Sequence, residues 1–278
     1  MIDPAIMAAC AAGDISPEIA LSRLLLQGVA PDPAELERLS VPGPLAQLAA
    51  LADAHRDQLE SLSAFARAGL DPGDDTMAGT AALFDRFAEQ APEAGVAFYS
   101  FGDPAALMRA TDELVRVIRA WAPTAGRRIV DLGCGIGRVS LALADEAASV
   151  TGTDVSAGMV AAAQSRAGGT RATFVQADGL GLPMFQNETV DLLLAVDSWP
   201  FVVRGGWDAT NALVAEISRV MAPGGDFIVF NWSYRGNSAL DDHEARALAS
   251  AHGFDVVRVG DRPFAIWDGI GFHLRRAA

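Results

Sequence analysis

The spacing of apolar residues changes along the chain. In the first part, apolar residues recur every three or four positions, as they do on one face of a helix. The clearest case is the stretch Pro44–Ala68, which Gly69 and Pro72 end. Similar spacing and capping residues predict further helices at Pro17–Gln27, Pro33–Leu39, Ala81–Gln90 and Asp103–Trp121. We therefore predict a helical N-terminal region over residues 1–95.

From Arg128 onward, short apolar runs alternate with helical ones. The apolar runs predict seven strands, at Arg128–Leu132, Val150–Thr153, Thr173–Ala177, Val190–Val196, Phe227–Phe230, Phe254–Val259 and Ala265–Leu274. Most of these runs are continuously apolar, which is typical of a parallel sheet covered on both faces. The turn Gly260–Pro263 is too short for a helical crossover, so the last strand should run antiparallel. The prediction is an α/β fold: a Rossmann-like, seven-stranded, mostly parallel sheet with helices on both faces, over residues 96–278.

A glycine-rich loop follows the first predicted strand. Glycines stand at Gly133, Gly135 and Gly137, two residues apart, and Asp131 precedes the first of them by two. Glycines let the backbone turn sharply and approach a ligand closely. The dinucleotide-binding fingerprint requires a third glycine at offset five, where this chain has Arg138. The spacing therefore disfavours a nicotinamide cofactor.

This spacing resembles motif I of the class I S-adenosylmethionine-dependent methyltransferases. Three further motifs stand in that family's order: Gly152–Ser156, Phe174–Gly179 and Arg219–Gly225. The resemblance implies that the acid ending the second strand, Asp154, binds both ribose hydroxyls, and that Asp178 holds the adenine amino group. The predicted cofactor-binding residues are Asp131, Gly133, Cys134, Gly135, Gly137, Asp154, Val155, Asp178 and Gly179. The resemblance is to the small-molecule type of this family, and the cosubstrate that it implies is S-adenosylmethionine.

Each acid also has a simpler interpretation. Asp154 could cap the following helix, although Ser156 could do so instead. Asp178 could be an ordinary turn residue, and Asp131 could brace the loop while meeting the positive amino-acid end of the cofactor. A carboxylate suits two hydroxyl donors well, so we favour ribose binding for Asp154. We interpret Cys134 as a small buried side chain that fills space in the loop.

The residues after the fourth and fifth strands are candidates for the acceptor side, because ligands bind at the carboxyl edge of such sheets. Asp197 could orient the acceptor, act as a base or brace its loop, and we name it as the candidate catalytic residue. Amino methyltransferases that act on DNA bases often carry Asn/Asp-Pro-Pro-Tyr at this position. This chain has Asp-Ser-Trp-Pro, which disfavours a DNA base as the acceptor. The candidate substrate-binding residues are Tyr99, Trp199, Trp232 and Tyr234, with Trp267 on the last strand, although core packing explains each aromatic singly.

Charge and composition narrow the partners. The net charge is −14, and all 21 basic residues are arginine, so nucleic acid and membrane surfaces are disfavoured and lysine chemistry is excluded. Cys10 and Cys134 cannot form a disulfide framework, and the four histidines lack metal-binding spacing, so we expect no metal. Asp3 stands where a signal peptide would be positively charged, so we expect a soluble, cytoplasmic protein.

Together these features predict methyl transfer from S-adenosylmethionine to a small molecule, with nitrogen, oxygen and sulfur acceptors all open. Two alternatives remain: a catalytically silent, regulatory S-adenosylmethionine-binding protein, and a less favoured nicotinamide-dependent oxidoreductase. The helical region 1–95 would supply either a wall of the acceptor site or the surface of a homodimer.

Overall fold

A computed structural model describes residues 2–39, 43–67 and 76–278. The N-terminal helices within these ranges are α1 (Pro4–Ala12), α2 (Pro17–Leu26), α3 (Pro33–Leu39), α4 (Pro44–Ala54), α5 (Arg56–Arg67), α6 (Met77–Gln90), α7 (Pro92–Val96) and α8 (Pro104–Trp121), with a 3-10 turn at Phe98–Ser100. The later helices are α9 (Arg138–Leu143), α10 (Ala157–Arg166), α11 (Trp199–Arg204), α12 (Trp207–Val220) and α13 (Ser238–His252).

The sheet has seven strands in the order β3-β2-β1-β4-β5-β7-β6. They are β1 (Arg128–Leu132), β2 (Ser149–Asp154), β3 (Ala172–Gln176), β4 (Val190–Val196), β5 (Met221–Phe230), β6 (Phe254–Asp261) and β7 (Gly271–Arg276). Strands β1 to β5 pair in parallel, and β7 lies antiparallel between β5 and β6. The predicted fold class is confirmed. The chain order reverses at β1 and β4, so a crevice is expected at their carboxyl ends.

Three predicted elements were wrong. Strand β5 begins at Met221 rather than Phe227. The last strand begins at Gly271 rather than Ala265, because the apolar run that contains Trp267 lies in the connection between β6 and β7. The stretch Pro44–Ala68 forms two helices that meet at His55, and its predicted end at Ala68 lies outside the described residues. Apolar periodicity alone does not register such a break, since both helices bury one face.

The described residues fall into two compact units. The first comprises those within Met1–Asp71, Ala91–Ala110 and Phe264–Asp268. In it, Ser16 caps α2 by accepting a hydrogen bond from the amide of Ile19, and its hydroxyl donates to the carbonyl of Ile266 at 2.6 Å. The bond to Ile266 ties the β6–β7 connection to the start of α2.

The second unit comprises the described residues of Pro72–Gln90, Thr111–Pro263 and Gly269–Ala278. It contains the sheet and also α6, which comes from the predicted helical region. The boundary near residue 95, between the helical region and the methyltransferase domain, stays a prediction. Of the described helices, none is long and apolar enough to cross a membrane.

The core of the second unit packs on the central strands. Leu192, Leu193 and Leu194 of β4 are fully buried, as are Phe227 and Val229 of β5. Because both faces of these strands exclude water, their backbone polar groups must pair within the sheet. This rigid platform fixes the positions at which the loops of the site emerge.

Candidate active site

The glycine loop joins β1 to α9, and two of its glycines have no room for a side chain. Gly133, Gly135 and Gly137 all have positive φ angles, of 73°, 54° and 78°, which glycine adopts without strain. A Cβ atom on Gly133 would lie 2.2 Å from the Cβ of Ser198, and one on Gly137 would lie 2.6 Å from the ring of Phe174. The loop therefore needs glycine both for its path and for its close packing.

Asp154, at the end of β2, holds this loop in place. Its Oδ2 accepts a hydrogen bond from the amide of Gly135 at 2.8 Å, and its Oδ1 accepts one from the amide of Ser156 at 2.9 Å. Ser156 caps α10 by accepting from the amide of Met159. The alternative that Asp154 caps this helix is therefore not what the structure shows. Each carboxylate oxygen can still accept further hydrogen bonds.

Asp131, on β1, is buried beneath the loop. Its Oδ2 accepts a hydrogen bond from the hydroxyl of Ser140 at 2.7 Å. Burial raises the pKa of Asp131 to about 6, against the lowering effects of the Ser140 hydrogen bond and of Arg138. Burial likewise raises the pKa of Asp154. The glycine loop thus lies between two desolvated carboxyl groups, an environment that favours a cationic ligand.

Cys134 is buried in the same loop. Its sulfur lies 2.8 Å from where a Cβ atom on Gly152 would be, so it fills the space beside β2. Burial, together with Asp131 and Asp154, raises the pKa of the thiol well above its ordinary value. A thiol in this state is not a nucleophile. The packing agrees with the interpretation of Cys134 as a filler.

The remaining predicted cofactor residues lie after β2 and β3. A Cβ atom on Gly179 would lie 2.9 Å from both the Cγ1 of Val155 and the Sδ of Met77, so these three residues meet at one point. Asp178 is exposed, and its Oδ1 accepts a hydrogen bond from the amide of Leu180 at 2.9 Å. This turn bond is compatible with the adenine contact, which stays a prediction.

Asp197 lies at the end of β4, where it meets the residues that follow β5. Its Oδ1 accepts hydrogen bonds from the Nδ2 of Asn231 and from the hydroxyl of Tyr234, each at 2.7 Å. Asp197 and Asn231 both have left-handed backbones, with φ angles of 58° and 63°. Asp and Asn enter this region most readily among non-glycine residues, and such conformations cluster at functional sites. Asn231 is also held by the amide of Ile270, which donates to its Oδ1.

The loop that carries Asp197 contacts the glycine loop. The hydroxyl of Ser198 donates a hydrogen bond to the carbonyl of Leu132, directly before Gly133. Asp197, the candidate catalytic residue, is therefore adjacent in sequence to Ser198, which contacts the candidate cofactor loop. This contact brings the two halves of the predicted site together.

The loop after β5 is fastened to α13. The guanidinium of Arg235 donates to the carboxylates of Asp241, at 2.7 Å, and Glu244, at 2.6 Å, and the indole of Trp232 also donates to Glu244. The hydrogen bond from Arg235 lowers the pKa of Glu244. Bidentate ion pairs of this kind hold a loop in one geometry. They therefore help to fix Tyr234 beside Asp197.

The predicted substrate-binding aromatics divide into three groups. Trp199 and Trp232 are 0% and 1% exposed and pack on each other and on neighbouring rings, which favours core packing over substrate contact. Tyr99 belongs to the first unit, where it stacks on Trp267. Tyr234 is 58% exposed and meets the ring of Phe201 edge to face. A hydrogen bond brings Tyr234 to Asp197.

Several residues of this site carry no recognisable sequence signal. Phe201, which packs on both Tyr234 and Phe84, reads as an ordinary apolar residue of α11. Asn231 directly follows a buried strand, and that position was the only hint of its role. Among the described residues, no group of three or more His, Cys, Asp or Glu side chains could hold a metal ion.

Comparison with known proteins agrees with this geometry. Residues 129–225 match a family model described as a methyltransferase domain. The chain is 39% identical over 127 residues to a demethylmenaquinone methyltransferase of Clavibacter sepedonicus, a match that covers 44% of this chain and 49% of that protein. It is 35% identical over 123 residues to a chloroplastic tocopherol O-methyltransferase of Arabidopsis thaliana, covering 42% and 33%. The matches thus span half or less of these curated relatives.

Solved structures share the fold. Magnesium protoporphyrin IX methyltransferase of Synechocystis PCC 6803, crystallised with its bound cosubstrate, superposes with a TM-score of 0.55 at 21% identity, covering 73% of this chain and 98% of that one. Phosphoethanolamine N-methyltransferase 1 of Haemonchus contortus gives 0.51 at 15% identity, covering 70% and 48%. Residues 129–225 therefore match a methyltransferase domain, and the chain shares its fold with these two solved structures.

Proposed function

We propose that this protein transfers the methyl group of S-adenosylmethionine to a small-molecule acceptor and releases S-adenosylhomocysteine. The observation that carries the proposal is the bond from the amide of Gly135 to Asp154, which joins the glycine loop to the acid that the family uses for ribose. The residues fit the cosubstrate. Every second residue of the loop is a glycine without a side chain, and the buried carboxyl groups of Asp131 and Asp154 flank it.

Each group has a distinct role in this proposal. Asp154 accepts hydrogen bonds from the ribose hydroxyls, and Asp178 accepts one from the adenine amino group. Asp131 places a negative charge near the positive amino-acid end of the cosubstrate. Val155, Gly179 and the backbone of residues 133–137 complete the pocket. When bound, S-adenosylmethionine supplies a methyl group already activated by the sulfonium, so the chain mainly has to orient the acceptor and exclude water.

Asp197 and Tyr234 act on the acceptor side. Tyr234 and Asn231 hold one oxygen of the Asp197 carboxylate, which fixes the direction in which it meets an acceptor. In that position Asp197 orients the acceptor or takes a proton from it as the methyl arrives. The curated relatives described above are named for small-molecule acceptors, demethylmenaquinone and tocopherol. A net charge of −14 also supports a small acceptor over nucleic acid.

We expect Asp154→Ala to weaken the binding of S-adenosylhomocysteine by about 2 kcal/mol, since charge-assisted bonds are lost at a buried position. The measurement is titration calorimetry on the folded variant, with Asp178→Ala as the comparison. Because Asp178 is exposed, its substitution should weaken binding less. Tighter binding of NADH than of S-adenosylhomocysteine by the unsubstituted protein would contradict the proposal and favour an oxidoreductase.

Turnover separates an enzyme from a silent binding protein. We expect radiolabelled methyl from S-adenosylmethionine to enter a small molecule when the protein is incubated with fractionated metabolite extracts. With S-adenosylmethionine kept well below its Kd, the label should fall roughly 30-fold in the Asp154→Ala variant, as a loss of about 2 kcal/mol implies. Tight cosubstrate binding without incorporation into any fraction would instead support the regulatory alternative.

A further inference from the structure

Helix α6 touches the residues that follow three successive strands of the sheet. Its Asp85 accepts hydrogen bonds from Ser156 and Gly158, after β2. The Sδ of its Met77 lies against Gly179, after β3. Its Phe84 packs edge to face on Phe201, after β4, with ring centroids 5.2 Å apart. The helix therefore lies along the carboxyl edge of the sheet, where the candidate cofactor residues are.

The contact between α6 and α10 is unusually close. A Cβ atom on Gly158 would lie 2.8 Å from the Cβ of Ala88 and 3.7 Å from the Cα of Asp85. Gly158 has no left-handed backbone, so it is needed here for space and not for conformation. Any larger side chain at this position would push the two helices apart.

Asp85 fixes α6 to the turn of the ribose acid. Its Oδ1 accepts from the hydroxyl of Ser156 at 2.6 Å and from the amide of Gly158 at 3.0 Å. The backbone amide of Ser156 donates at the same time to Asp154. One serine thus connects a carboxylate of α6 with the carboxylate proposed to hold the ribose. A shift of α6 would disturb this turn directly.

Met77 adds an apolar side chain beside the adenine position. It is half-buried, and its sulfur and Cγ lie near Gly179 together with the Cγ1 of Val155. A thioether is flexible and polarisable, and it makes favourable contacts with aromatic rings. Val155 and Gly179 are two of the residues that the proposed function gives to the nucleoside.

We propose that α6 forms the outer wall of the nucleoside pocket, with Met77 contacting the adenine ring and Asp85 as the positioning residue that holds the wall against the ribose turn. This proposal rests on the proposed function, because it takes S-adenosylmethionine as the ligand. It assigns a binding role to a helix outside residues 129–225, the part that matches the methyltransferase family model. The wall slows ligand exchange because it must move before the nucleoside can leave.

The test measures the affinity and the dissociation rate of S-adenosylhomocysteine by calorimetry and stopped-flow competition. We expect Gly158→Leu, which wedges α6 away, and Asp85→Ala, which releases it, each to raise the dissociation rate ~10-fold or more. Gly168→Leu is the control for the wedge, because a Cβ atom there meets nothing within 4 Å. Asp112→Ala, at an exposed position on α8, is the control for the lost carboxylate. Both controls should match the unsubstituted protein.

Met77 is tested with a second ligand. Met77→Ala should weaken the binding of S-adenosylhomocysteine and of adenosine by the same factor, ~3-fold to 10-fold, because both ligands carry the adenine ring. Met77→Leu, which conserves the side-chain volume, should restore most of the affinity. A merely structural role would lower the melting temperature of the free protein without this shared loss and rescue.

The outcomes distinguish the two proposals. If the unsubstituted protein binds no S-adenosylhomocysteine, the proposed function fails. If it binds, but the folded Gly158→Leu and Asp85→Ala variants exchange ligand at the rate of their controls, the wall assignment is overturned while the function stands. Should Gly158→Leu not fold, Gly158→Ala and Asp85→Ala give the same comparison, because a Cβ atom alone at Gly158 would lie 2.8 Å from the Cβ of Ala88.

Discussion

Replacing Asp197 with asparagine is expected to lower turnover ~100-fold or more while leaving cosubstrate affinity within a few-fold, the range seen for positioned acid–base groups. The structure makes this substitution a test of charge alone. Asparagine tolerates the left-handed backbone of this position, and its carbonyl oxygen can accept the same hydrogen bonds from Asn231 and Tyr234. The measurement is kcat for the acceptor found by the labelled-methyl screen, with calorimetry for S-adenosylhomocysteine.

Two further variants separate the charge of Asp197 from its geometry. Tyr234→Phe removes one hydrogen bond to the carboxylate but keeps the ring against Phe201, so we expect a smaller loss of turnover than for Asp197→Asn. Asp197→Ala loses both bonds and places alanine in a left-handed backbone, so its melting temperature should also fall. Unchanged turnover in Asp197→Asn would show that the carboxylate only braces its loop, leaving the acceptor to be oriented by neighbouring groups.

The sheet could be predicted because each buried strand carries its own signal. Five parallel strands appear as apolar runs bounded by turn residues, and their predicted positions agree with the structure to within a few residues at all ends but one. That end is the start of β5, which begins at Met221 rather than Phe227. The stretch Met221–Asp226 contains Pro223, Gly224 and Gly225, which indicate a turn. The false start of β7 at Ala265 has the opposite cause, since an apolar connection looks like a strand.

The cofactor side of the site was predictable in part for a related reason. The glycine loop and the acids that end β1 and β2 lie next to one another in sequence or at strand ends, so topology brings them together. The role of α6 could not be predicted, because Asp85 and Met77 are ordinary helix residues whose partners are about 70 to 100 positions away. Only the tertiary structure shows which loops they touch.

Aromatic residues gave the least reliable signal. Trp199 and Tyr234 both follow strands and both contain a polar group on an aromatic ring, yet one is fully buried and the other is more than half exposed. Sequence cannot distinguish them, since a core and a pocket use the same side chains. The left-handed backbones of Asp197 and Asn231 were equally hidden, because neither residue is glycine.

Asp131→Asn is expected to stabilise the free protein above pH 6 and to weaken cosubstrate binding at the same time. Burial raises the pKa of this carboxyl from 3.8 to about 6, so the folded protein holds the proton more tightly than the unfolded chain does. The stabilisation from that proton is complete below pH 3.8 and is lost as the pH rises to about 6. Above that pH the buried charge costs about 3 kcal/mol, as an order of magnitude.

Asparagine removes this cost but keeps the shape of the side chain, and its carbonyl oxygen can still accept the hydrogen bond from Ser140. The free energy of unfolding without ligand should therefore rise by about 1–3 kcal/mol at pH 8, with little change at pH 4. Asp112→Asn, at an exposed position, should show no such difference between the two pH values. Denaturant unfolding at both pH values measures the effect.

The same substitution should weaken the binding of S-adenosylmethionine, since the positive end of the cosubstrate loses its buried counter-charge. Ligand-induced stabilisation at pH 8 would then be smaller in Asp131→Asn than in the unsubstituted protein, although the free variant is the more stable of the two. A variant that is less stable than the original at pH 8 would show that the charged hydrogen bond to Ser140 outweighs the desolvation of Asp131. A variant that is more stable and binds equally well would remove Asp131 from the cofactor site. The expected combination, a gain in stability with a loss of affinity, is the one that arises when a buried charge is kept for its ligand.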